Sequence, residues 1–402
     1  MNILFVTWDG PQVSYLEGLF LPIFQALNSK GIYFHILQFT WGDDASIEAR
    51  RMACQNAGCS YEVVKVIRKP VALGSLMSAI VGCRHIRRVI RQQNINIVMP
   101  RSILPALSSL LALRGRNESL VFDADGLYLD ERVDFAGESP FSIIHRLLRE
   151  IEAQAVGRAK TVLTRSTKAT DVLLARAGAG FSKDKFFVVS NGRDTDVFNP
   201  GTIESRMVMR KRLGLEQNVP LLVYAGSIGP QYCIDEMLRL FELVREQRID
   251  AQLLILTGTP EILIQKLQAK PELIKFIIIK TVPIEDVSVH LACADLGLAF
   301  RKPTFSMQGV APIKLGEYLL CGLPLVATQG IGDTSNIDAK AGFMVDRMDE
   351  PQLKSVAQWF IEQVLPDRDI LREHCRDAGV MHFSLQASVA SYQQALSSLT
   401  EK

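Results

Sequence analysis

Short apolar runs alternate with helix-like segments along the whole chain. In the first half, the runs that predict strands are 3–7, 33–39, 61–67, 95–99, 120–122, 161–163 and 186–189. In the second half they are 221–224, 252–256, 275–279, 296–300, 325–327 and 343–345. Short strands that alternate with helices are typical of parallel sheets wrapped by crossover helices. The pattern therefore predicts an α/β fold with two doubly wound, Rossmann-like sheets, which bind ligands at the carboxyl ends of their strands.

Turn-forming residues separate the two halves of the chain. Asn191, Gly192, Asn199, Pro200 and Gly201 lie between the last predicted strand of the first half and the first strand of the second. Gly, Pro and Asn are residues that often interrupt regular structure. A length of 402 residues also suits two domains better than a single core. We therefore expect a first domain that ends near residue 195 and a second that begins at 196.

Composition narrows the class of protein. Apolar residues make up 48% and charged residues 22%, as in folded soluble proteins, and the net charge of +2 argues against nucleic-acid binding. The seven cysteines contain no C-x-x-C pair and the six histidines no zinc spacing, so we expect a reducing cytosol and no metal site. No apolar run has the length of a membrane span, and the start of the chain predicts a strand rather than a signal peptide.

One segment, APIKLGEYLLCGLPLVATQGIGDT at 311–334, combines a helix, a buried strand and a glycine-rich turn. Pro312 suits a first helical turn, so the free N–H groups of this helix would face an anion. Lys314 and Glu317 are three residues apart and share a helical face. A cation beside a diphosphate and a carboxylate beside ribose hydroxyls would suit a nucleotide sugar. A solvated surface Lys/Glu pair is the alternative that the spacing alone leaves open.

Two loops at strand ends offer further contacts to phosphate. Gly226 and Gly229 in YAGSIGPQY follow a strand and precede a helix, where backbone N–H groups can approach phosphate closely. Many such loops carry two glycines for steric reasons alone, so this signal is weak by itself. The segment AFRKPTFS follows another buried strand and adds three polar residues, namely Arg301, Lys302 and Ser306. We expect these loops and Lys314 to form a cationic clamp, whereas the alternative is that Arg301 and Lys302 only keep a loop soluble.

Four stretches, in order along the chain, resemble the retaining glycosyltransferases of family 4, which have the two-domain GT-B fold. Glu317 and Gly322 in EYLLCGLPLV match the second glutamate of the family's E-x7-E motif and the glycine five residues after it. The other stretches are 121–133, 188–200 and 221–238. P-x-K-L-G-E at 312–317 is similar to a subgroup that builds bacterial surface polysaccharides. Two positions depart from the family, because Gly309 replaces the first glutamate and Ser227 replaces a loop arginine.

The resemblance implies a hexosyltransferase-type enzyme that uses a nucleoside-diphosphate sugar and retains the anomeric configuration. It implies a glycan or lipid-linked acceptor in polysaccharide biosynthesis, no cofactor and no metal. It also implies that the last helix, for which HFSLQASVASYQQALSSL at 382–399 is the matching segment, returns to the first domain. The acceptor-side domain would then be 1–195 plus 385–402, and the donor domain 196–384 would face it across a cleft.

Residue roles follow from the resemblance position by position. The catalytic residues would be Lys314 and Glu317. The donor-binding residues would be Gly226, Ser227, Gly229, Arg301, Lys302, Ser306, Lys314, Glu317, Gly332 and Asp333. The acceptor-binding residues would be Gly10, Gln12, Asp123 and Asp125. Asp333 also fits a turn that caps the next short helix, and Asp123 and Asp125 also fit a role in holding their own loop.

A basic stretch, CRHIRRVIRQQ at 83–93, follows the apolar segment VALGSLMSAIVG. As a helix it has an apolar side and a cationic side formed by Arg84, Arg87, Arg88 and Arg91. Such a helix suits an anionic inner-membrane surface, and a crossover helix with a solvated basic face explains the pattern as well. We therefore expect a cytoplasmic protein, with peripheral membrane contact as a further hypothesis.

Other functions on the same fold stay open. A GT-B epimerase needs acidic residues around the anomeric carbon, and a phosphorylase needs a cofactor lysine or a phosphate site; we locate neither in the sequence. A non-catalytic protein that binds glycan or acts as a scaffold is favoured by Gly309 and Ser227, and disfavoured by Lys314 and Glu317. Turnover of a nucleotide sugar would separate an enzyme from a binding protein.

Overall fold

The computed structural model describes residues 1–11, 13–178, 180–332, 334 and 337–399. The chain forms two compact units. Unit 1 contains residues 1–191 and the segment from Ser388 onward, and unit 2 contains residues 192–387. Among the described residues, no helix is both long enough and apolar enough to cross a bilayer.

Unit 1 is built on a seven-stranded parallel sheet. Its strands are β1 Asn2–Trp8, β2 Tyr33–Thr40, β3 Ser60–Lys65, β4 Ile97–Pro100, β5 Ser119–Asp123, β6 Thr161–Thr164 and β7 Phe186–Val188. Their order in the sheet is β3-β2-β1-β4-β5-β6-β7. The order reverses direction between β1 and β4, which is the place where doubly wound sheets bind ligands.

Helices cover both faces of this sheet. They are α1 Leu21–Asn28, α2 Asp44–Asn56, α3 Val71–Gln92, α4 Ile103–Ala112, α5 Tyr128–Ala136, α6 Ile143–Arg158 and α7 Thr167–Ala177. On one face, Phe24 of α1 stacks on Phe34 with 3.8 Å between ring centroids. On the other, α3 approaches so closely that a Cβ on Gly82 would lie 2.2 Å from the Phe39 ring. Burial on both faces explains why the strands are almost continuously apolar.

Unit 2 repeats the architecture with six parallel strands. They are β8 Leu221–Ala225, β9 Gln252–Leu256, β10 Ile277–Lys280, β11 Leu296–Ala299, β12 Leu325–Thr328 and β13 Gly342–Val345, in the order β10-β9-β8-β11-β12-β13. The helices are α8 Ile203–Arg212, α9 Ile234–Gln247, α10 Pro260–Leu267, α11 Val287–Ala292, α12 Ile313–Leu320, α13 Glu350–Trp359 and α14 Arg368–Phe383. Here the order reverses between β8 and β11. The last helix, α15 Leu385–Ser397, belongs to unit 1 from Ser388 onward.

The predicted strands are all present, and the fold class is confirmed. Their ends move by up to two residues; the strand expected at 275–279, for example, begins at Ile277 because a 3₁₀ turn, Pro271–Phe276, precedes it. The terminal helical segment at 382–399 is not continuous. It breaks at Ser384, because the N–H of Arg193 donates to Phe383 O and the N–H of Leu385 donates to Arg193 O. Two helices therefore stand where one was predicted.

Candidate functional site

The carboxyl ends of β8, β11 and β12 lie side by side in unit 2 and carry the predicted donor residues. The N–H of Arg301, just after β11, donates to Thr328 Oγ1 at the end of β12 over 2.9 Å. The N–H of Lys302 donates to the carbonyl of Gln231 over 3.0 Å. The first bond ties the basic loop after β11 to the end of β12, and the second ties it to the glycine loop after β8.

Helix α12 places Lys314 beside these loops. The helix begins at Ile313, with Pro312 as its N-cap residue, so the expectation that Pro312 stands inside the first turn is wrong by one position. One turn further, the Tyr318 hydroxyl accepts from the N–H of Ala225 and donates to Leu298 O. The Tyr318 ring fits only because position 297 is glycine, where a Cβ would lie 2.4 Å from the ring. Tyr318 thereby fixes α12 to both β8 and β11.

The amine of Lys314 is buried, and among the described residues it has no hydrogen-bond partner. Its Nζ lies 4.0 Å from the ring centroid of Tyr224 and 4.7 Å from that of Tyr232. Burial lowers the pKa of Lys314 well below its usual range, the guanidinium of Arg301 lowers it further, and the carboxylate of Glu317 acts in the opposite direction. Leaving such an amine unpaired destabilises a fold, so the arrangement suits an anion that supplies the missing partner.

At Gly226 and Gly332, two of the predicted donor-binding residues, the structure gives a steric reason why the position is glycine. Gly226 has φ +142°, and a Cβ there would lie 3.0 Å from Lys314 Nζ. Gly332 has φ +54°, and a Cβ there would lie 2.0 Å from the carbonyl oxygen of Val310. Side chains are therefore excluded at both positions. A side chain is less strictly excluded at Gly229, where the atom nearest to a Cβ would lie 3.1 Å away on the flexible side chain of Gln231.

The remaining donor residues differ in accessibility. Arg301 is half-buried and its guanidinium lies 4.9 Å from the Tyr232 ring centroid. Ser306 is buried, with its hydroxyl 3.3 Å from that of Thr304, whereas Lys302 and Ser227 are exposed. The structure thus brings Lys314 and Arg301 together around one aromatic ring and leaves Lys302 at the surface. Asp333 lies outside the described residues.

Glu317 forms an ion pair with Arg193. The distance from Arg193 Nε to Glu317 Oε1 is 2.9 Å, and both side chains are nearly buried, at 12% and 13% exposed. The alternative of a solvated Lys314/Glu317 surface pair is therefore wrong. Arg193 was not among the predicted site residues, although it follows Asn191 and Gly192 in one of the four matching stretches. Gly309, in the place of the family's first glutamate, is buried in the 3₁₀ turn Ser306–Gly309.

In unit 1, two arginines and three aspartates meet at the carboxyl ends of the strands. Arg101 lies between Asp9, at 3.5 Å, and Asp125, at 2.6 Å. Arg165 pairs with Asp123 at 2.8 Å. Of these five residues the sequence analysis named only the two aspartates of 121–133. The others were recognisable by one shared signal, since each follows a buried apolar strand.

The two predicted acceptor-side aspartates differ in their surroundings. Asp123 is fully buried; burial raises the pKa of its carboxyl, and the Arg165 guanidinium opposes that change. Asp125 is a third exposed and has φ +62°, a conformation that costs energy outside glycine and clusters at functional sites. Of the two carboxylates, only that of Asp125 is therefore accessible to solvent. In the described part of the chain, no group of three or more His, Cys, Asp or Glu side chains is arranged to hold a metal.

Gly10 and Gln12 were the other acceptor-side predictions. Gly10 is buried, and a Cβ there would lie 2.7 Å from the Trp41 ring, so the glycine is needed for packing. Its carbonyl accepts a hydrogen bond from Arg50 over 3.1 Å. Gln12 lies outside the described residues.

The basic side of α3 differs from the prediction at one arginine. Arg87 is half-buried and donates to the carbonyls of Leu111 and Ala112, so it does not belong to the solvated face. Arg88 is exposed and pairs with Glu62. Arg84 and Arg91 are exposed. The apolar part of the same helix is also exposed, at Val71, Leu73, Met77, Ile80 and Val81.

Comparisons with known proteins extend over most of the chain. Residues 23–197 match the family model described as glycosyltransferase family 4, and residues 219–363 match glycosyl transferases group 1. A GDP-mannose-dependent monoacylated alpha-(1-6)-phosphatidylinositol monomannoside mannosyltransferase of Corynebacterium glutamicum is 26% identical over 183 residues, which is 44% of this chain and 46% of that protein. The chain therefore spans about half the length of this curated relative.

Solved structures of similar fold cover nearly the whole chain. Anabaena HepE, solved with UDP-glucose, superposes with a TM-score of 0.71 at 15% identity over all of both chains. WaaG, a glycosyltransferase involved in lipopolysaccharide biosynthesis, superposes with a TM-score of 0.68 at 17% identity over 98% of each chain. At such identities the likeness establishes the GT-B fold alone.

Proposed function

Since the chain belongs to the family 4 glycosyltransferases and has the GT-B fold, we propose that it moves a sugar from a nucleoside-diphosphate sugar to a glycan or lipid-linked acceptor. We propose further that the anomeric configuration is retained and that the product is a polysaccharide or its precursor. The acceptor class is supported by the lipid-linked acceptor in the name of the Corynebacterium relative and by the lipopolysaccharide role of WaaG.

The observation that carries the proposal is the buried, unpartnered amine of Lys314 beside the glycine loop. In our proposal, Lys314 and Arg301 bind the diphosphate, and the N–H groups of the 226–229 loop add hydrogen bonds. The carboxylate of Glu317, held by Arg193 over 2.9 Å, accepts from the ribose hydroxyls. Lys302 and Ser306 are further candidates for the phosphates, and Gly332 and Asp333 are candidates for contact with the sugar. In unit 1, Asp125 is the residue proposed to contact the acceptor.

The reaction we propose needs no nucleophile from the protein. The bond between the anomeric carbon and the diphosphate breaks, and the acceptor hydroxyl oxygen bonds to that carbon on the same face. The hydroxyl proton passes to the diphosphate oxygen that leaves. Negative charge grows on the diphosphate as the bond breaks, so fixed cations beside it lower the barrier. The role of this chain's residues is therefore to orient the donor and to stabilise that charge.

A thermal-shift panel of UDP, GDP, ADP and CMP tests the donor site. A ligand that binds only the folded state stabilises it, by about 2.7 kcal/mol at one hundred times its Kd. We expect one nucleoside diphosphate to raise the Tm and the others to have little effect. Adding the matching sugar nucleotides and measuring release of the diphosphate then tests catalysis. No shift with any nucleotide would contradict the donor site.

The same panel separates the proposed enzyme from a non-catalytic glycan-binding protein. A binding protein would show affinity for the nucleotide sugar without hydrolysis or transfer. An epimerase would instead return the nucleotide sugar with an inverted sugar centre and release no diphosphate. Gly309, which leaves the first position of the family's motif without a carboxylate, is the observation that keeps the binding protein as the second candidate.

We also propose peripheral contact between α3 and an anionic membrane surface. The exposed apolar residues occupy the first part of α3, and the exposed Arg84 and Arg91 follow in its second part, a combination that suits the boundary between headgroups and acyl chains. Sedimentation with vesicles that contain an anionic lipid should carry the protein down, and 1 M salt should weaken the binding.

The variant Arg84→Gln/Arg91→Gln should lose most of this sedimentation, because it removes the two free cations of α3. Arg347→Gln/Lys354→Gln is a matched control, since both residues are exposed cations of unit 2, at 71% and 61%. Equal sedimentation of the α3 variant and the wild type would refute membrane contact through this helix.

A further inference from the structure

The glycine loop of unit 2 contains no cation. Its residues from Gly226 to Tyr232, GSIGPQY, are all neutral. The two cations near it come from other elements, Lys314 from α12 and Arg301 from the segment after β11. Both lie against one side chain of the loop, since Tyr232 has Lys314 Nζ at 4.7 Å and the Arg301 guanidinium at 4.9 Å from its ring centroid.

An aromatic ring attracts a cation without carrying a charge of its own. A carboxylate in this place would also hold Lys314 and Arg301, but it would neutralise them and repel a phosphate. The ring therefore attracts both groups without neutralising either, so the Arg301 guanidinium and the amine of Lys314, once a bound anion favours its protonation, both keep their positive charge for that anion. Because like charges repel each other, such an attraction matters most where two cations must stay close in a partly dry site.

The ring itself is fixed by the loop. Residue 232 forms an isolated antiparallel bridge with residue 301, and its N–H donates to Gly229 O over 3.0 Å. Tyr224 packs edge-on against it, with 6.2 Å between centroids and an interplanar angle of 69°. Within the described part of the chain, the Tyr232 hydroxyl makes no hydrogen bond, so the ring rather than the hydroxyl makes the contacts.

We propose that Tyr232 is a positioning residue, whose ring holds the side chains of Lys314 and Arg301 together so that both bind the diphosphate of the donor. The proposal rests on the function proposed above and adds to it the element that replaces the cations missing from the loop. Tyr232 does not touch the reacting atoms; it acts through the two cations.

Calorimetric titration with UDP, GDP and inorganic pyrophosphate tests the proposal. Tyr232→Phe keeps the ring and should bind within twofold of the wild type. Tyr232→Leu removes the ring and should weaken binding of pyrophosphate and of the preferred nucleoside diphosphate at least tenfold. Binding of the parent nucleoside, which lacks phosphate, should not change. Tyr232→Met, with a longer flexible side chain, replaces the leucine variant if the latter does not fold by its melting curve.

A second variant separates positioning from general damage to the loop. In an Arg301→Gln background, one of the two cations is already gone, so Tyr232→Leu should cost clearly less affinity than in the wild type. Equal loss in Tyr232→Phe and Tyr232→Leu would overturn the proposal, as would an unchanged affinity in Tyr232→Leu or strictly multiplicative losses with Arg301→Gln. If the wild type binds neither nucleotides nor pyrophosphate, the proposed function itself fails and this inference fails with it.

Discussion

Lys314→Met should lower turnover of the donor by a factor of about 10² to 10³, the usual effect of removing one group that stabilises transition-state charge. Methionine has a similar length and is apolar, so it fills the same space between Tyr224 and Tyr232. The variant therefore removes the positive charge and the three N–H donors with little change in shape.

The stability of the folded protein should not fall together with the turnover in Lys314→Met. The amine of Lys314 is buried and lacks a partner among the described residues, and such a group costs about 1–3 kcal/mol when left unpaired. Lys314→Met should therefore leave the free energy of unfolding equal to or above that of the wild type. Lys302→Met is the matched control, because Lys302 is an exposed cation of the same proposed clamp. A variant that is both active and less stable would contradict the assignment of Lys314 on both counts.

The affinity for nucleoside diphosphate should depend on pH through Lys314. In the free protein, burial and Arg301 hold the pKa of Lys314 well below its usual value of 10.5, while Glu317 opposes them and Tyr224 and Tyr232 contribute neutral rings. A bound diphosphate favours the protonated amine and raises this pKa. Above the pKa of the free protein, binding must therefore take up a proton, and the affinity should fall by about tenfold for each pH unit.

Calorimetry above pH 7, where the terminal phosphate is already ionised, measures this proton uptake directly. The observed enthalpy of binding should differ between buffers with different enthalpies of ionisation, and the difference should vanish in Lys314→Met. The free energy of unfolding should depend on pH for the same reason, namely the lowered pKa of Lys314. Since the unfolded chain binds more protons than the native one between the lowered pKa and 10.5, the destabilisation caused by Lys314 should decrease as pH rises through that window. A pH-independent affinity in the wild type would show that Lys314 is already charged in the empty site.

The fold could be predicted because its signal is local. Each buried strand of a doubly wound sheet is a short apolar run, and the strands were located from such runs alone. Lys314 was named as a candidate for the same reason, since its relation to Glu317 is fixed by three residues of one helix. The break at Ser384 was not predictable in this way, because it depends on a backbone bridge to Arg193, which lies far away along the chain.

The partners of the site residues could not be predicted for the same physical reason. Arg193 and Glu317 are 124 positions apart, and no periodicity connects them. The difference between Asp123 and Asp125 also depends on tertiary structure, because it rests on burial and on the pairing of each with an arginine from another strand. The sequence identified these carboxylates as candidates, whereas the surroundings separate the structural one from the accessible one.

Tyr318 has a practical consequence for changing the donor specificity of the proposed enzyme. This one phenol joins the end of β8, the end of β11 and α12, the three elements that carry the glycine loop, Arg301 and Lys314. Its ring needs the space left by Gly297. A mutant library aimed at new sugars or bases would therefore keep 297 and 318 constant as the frame. It would place its diversity at exposed positions such as Ser227 and Lys302, where side chains can change without moving the phosphate-binding groups relative to one another.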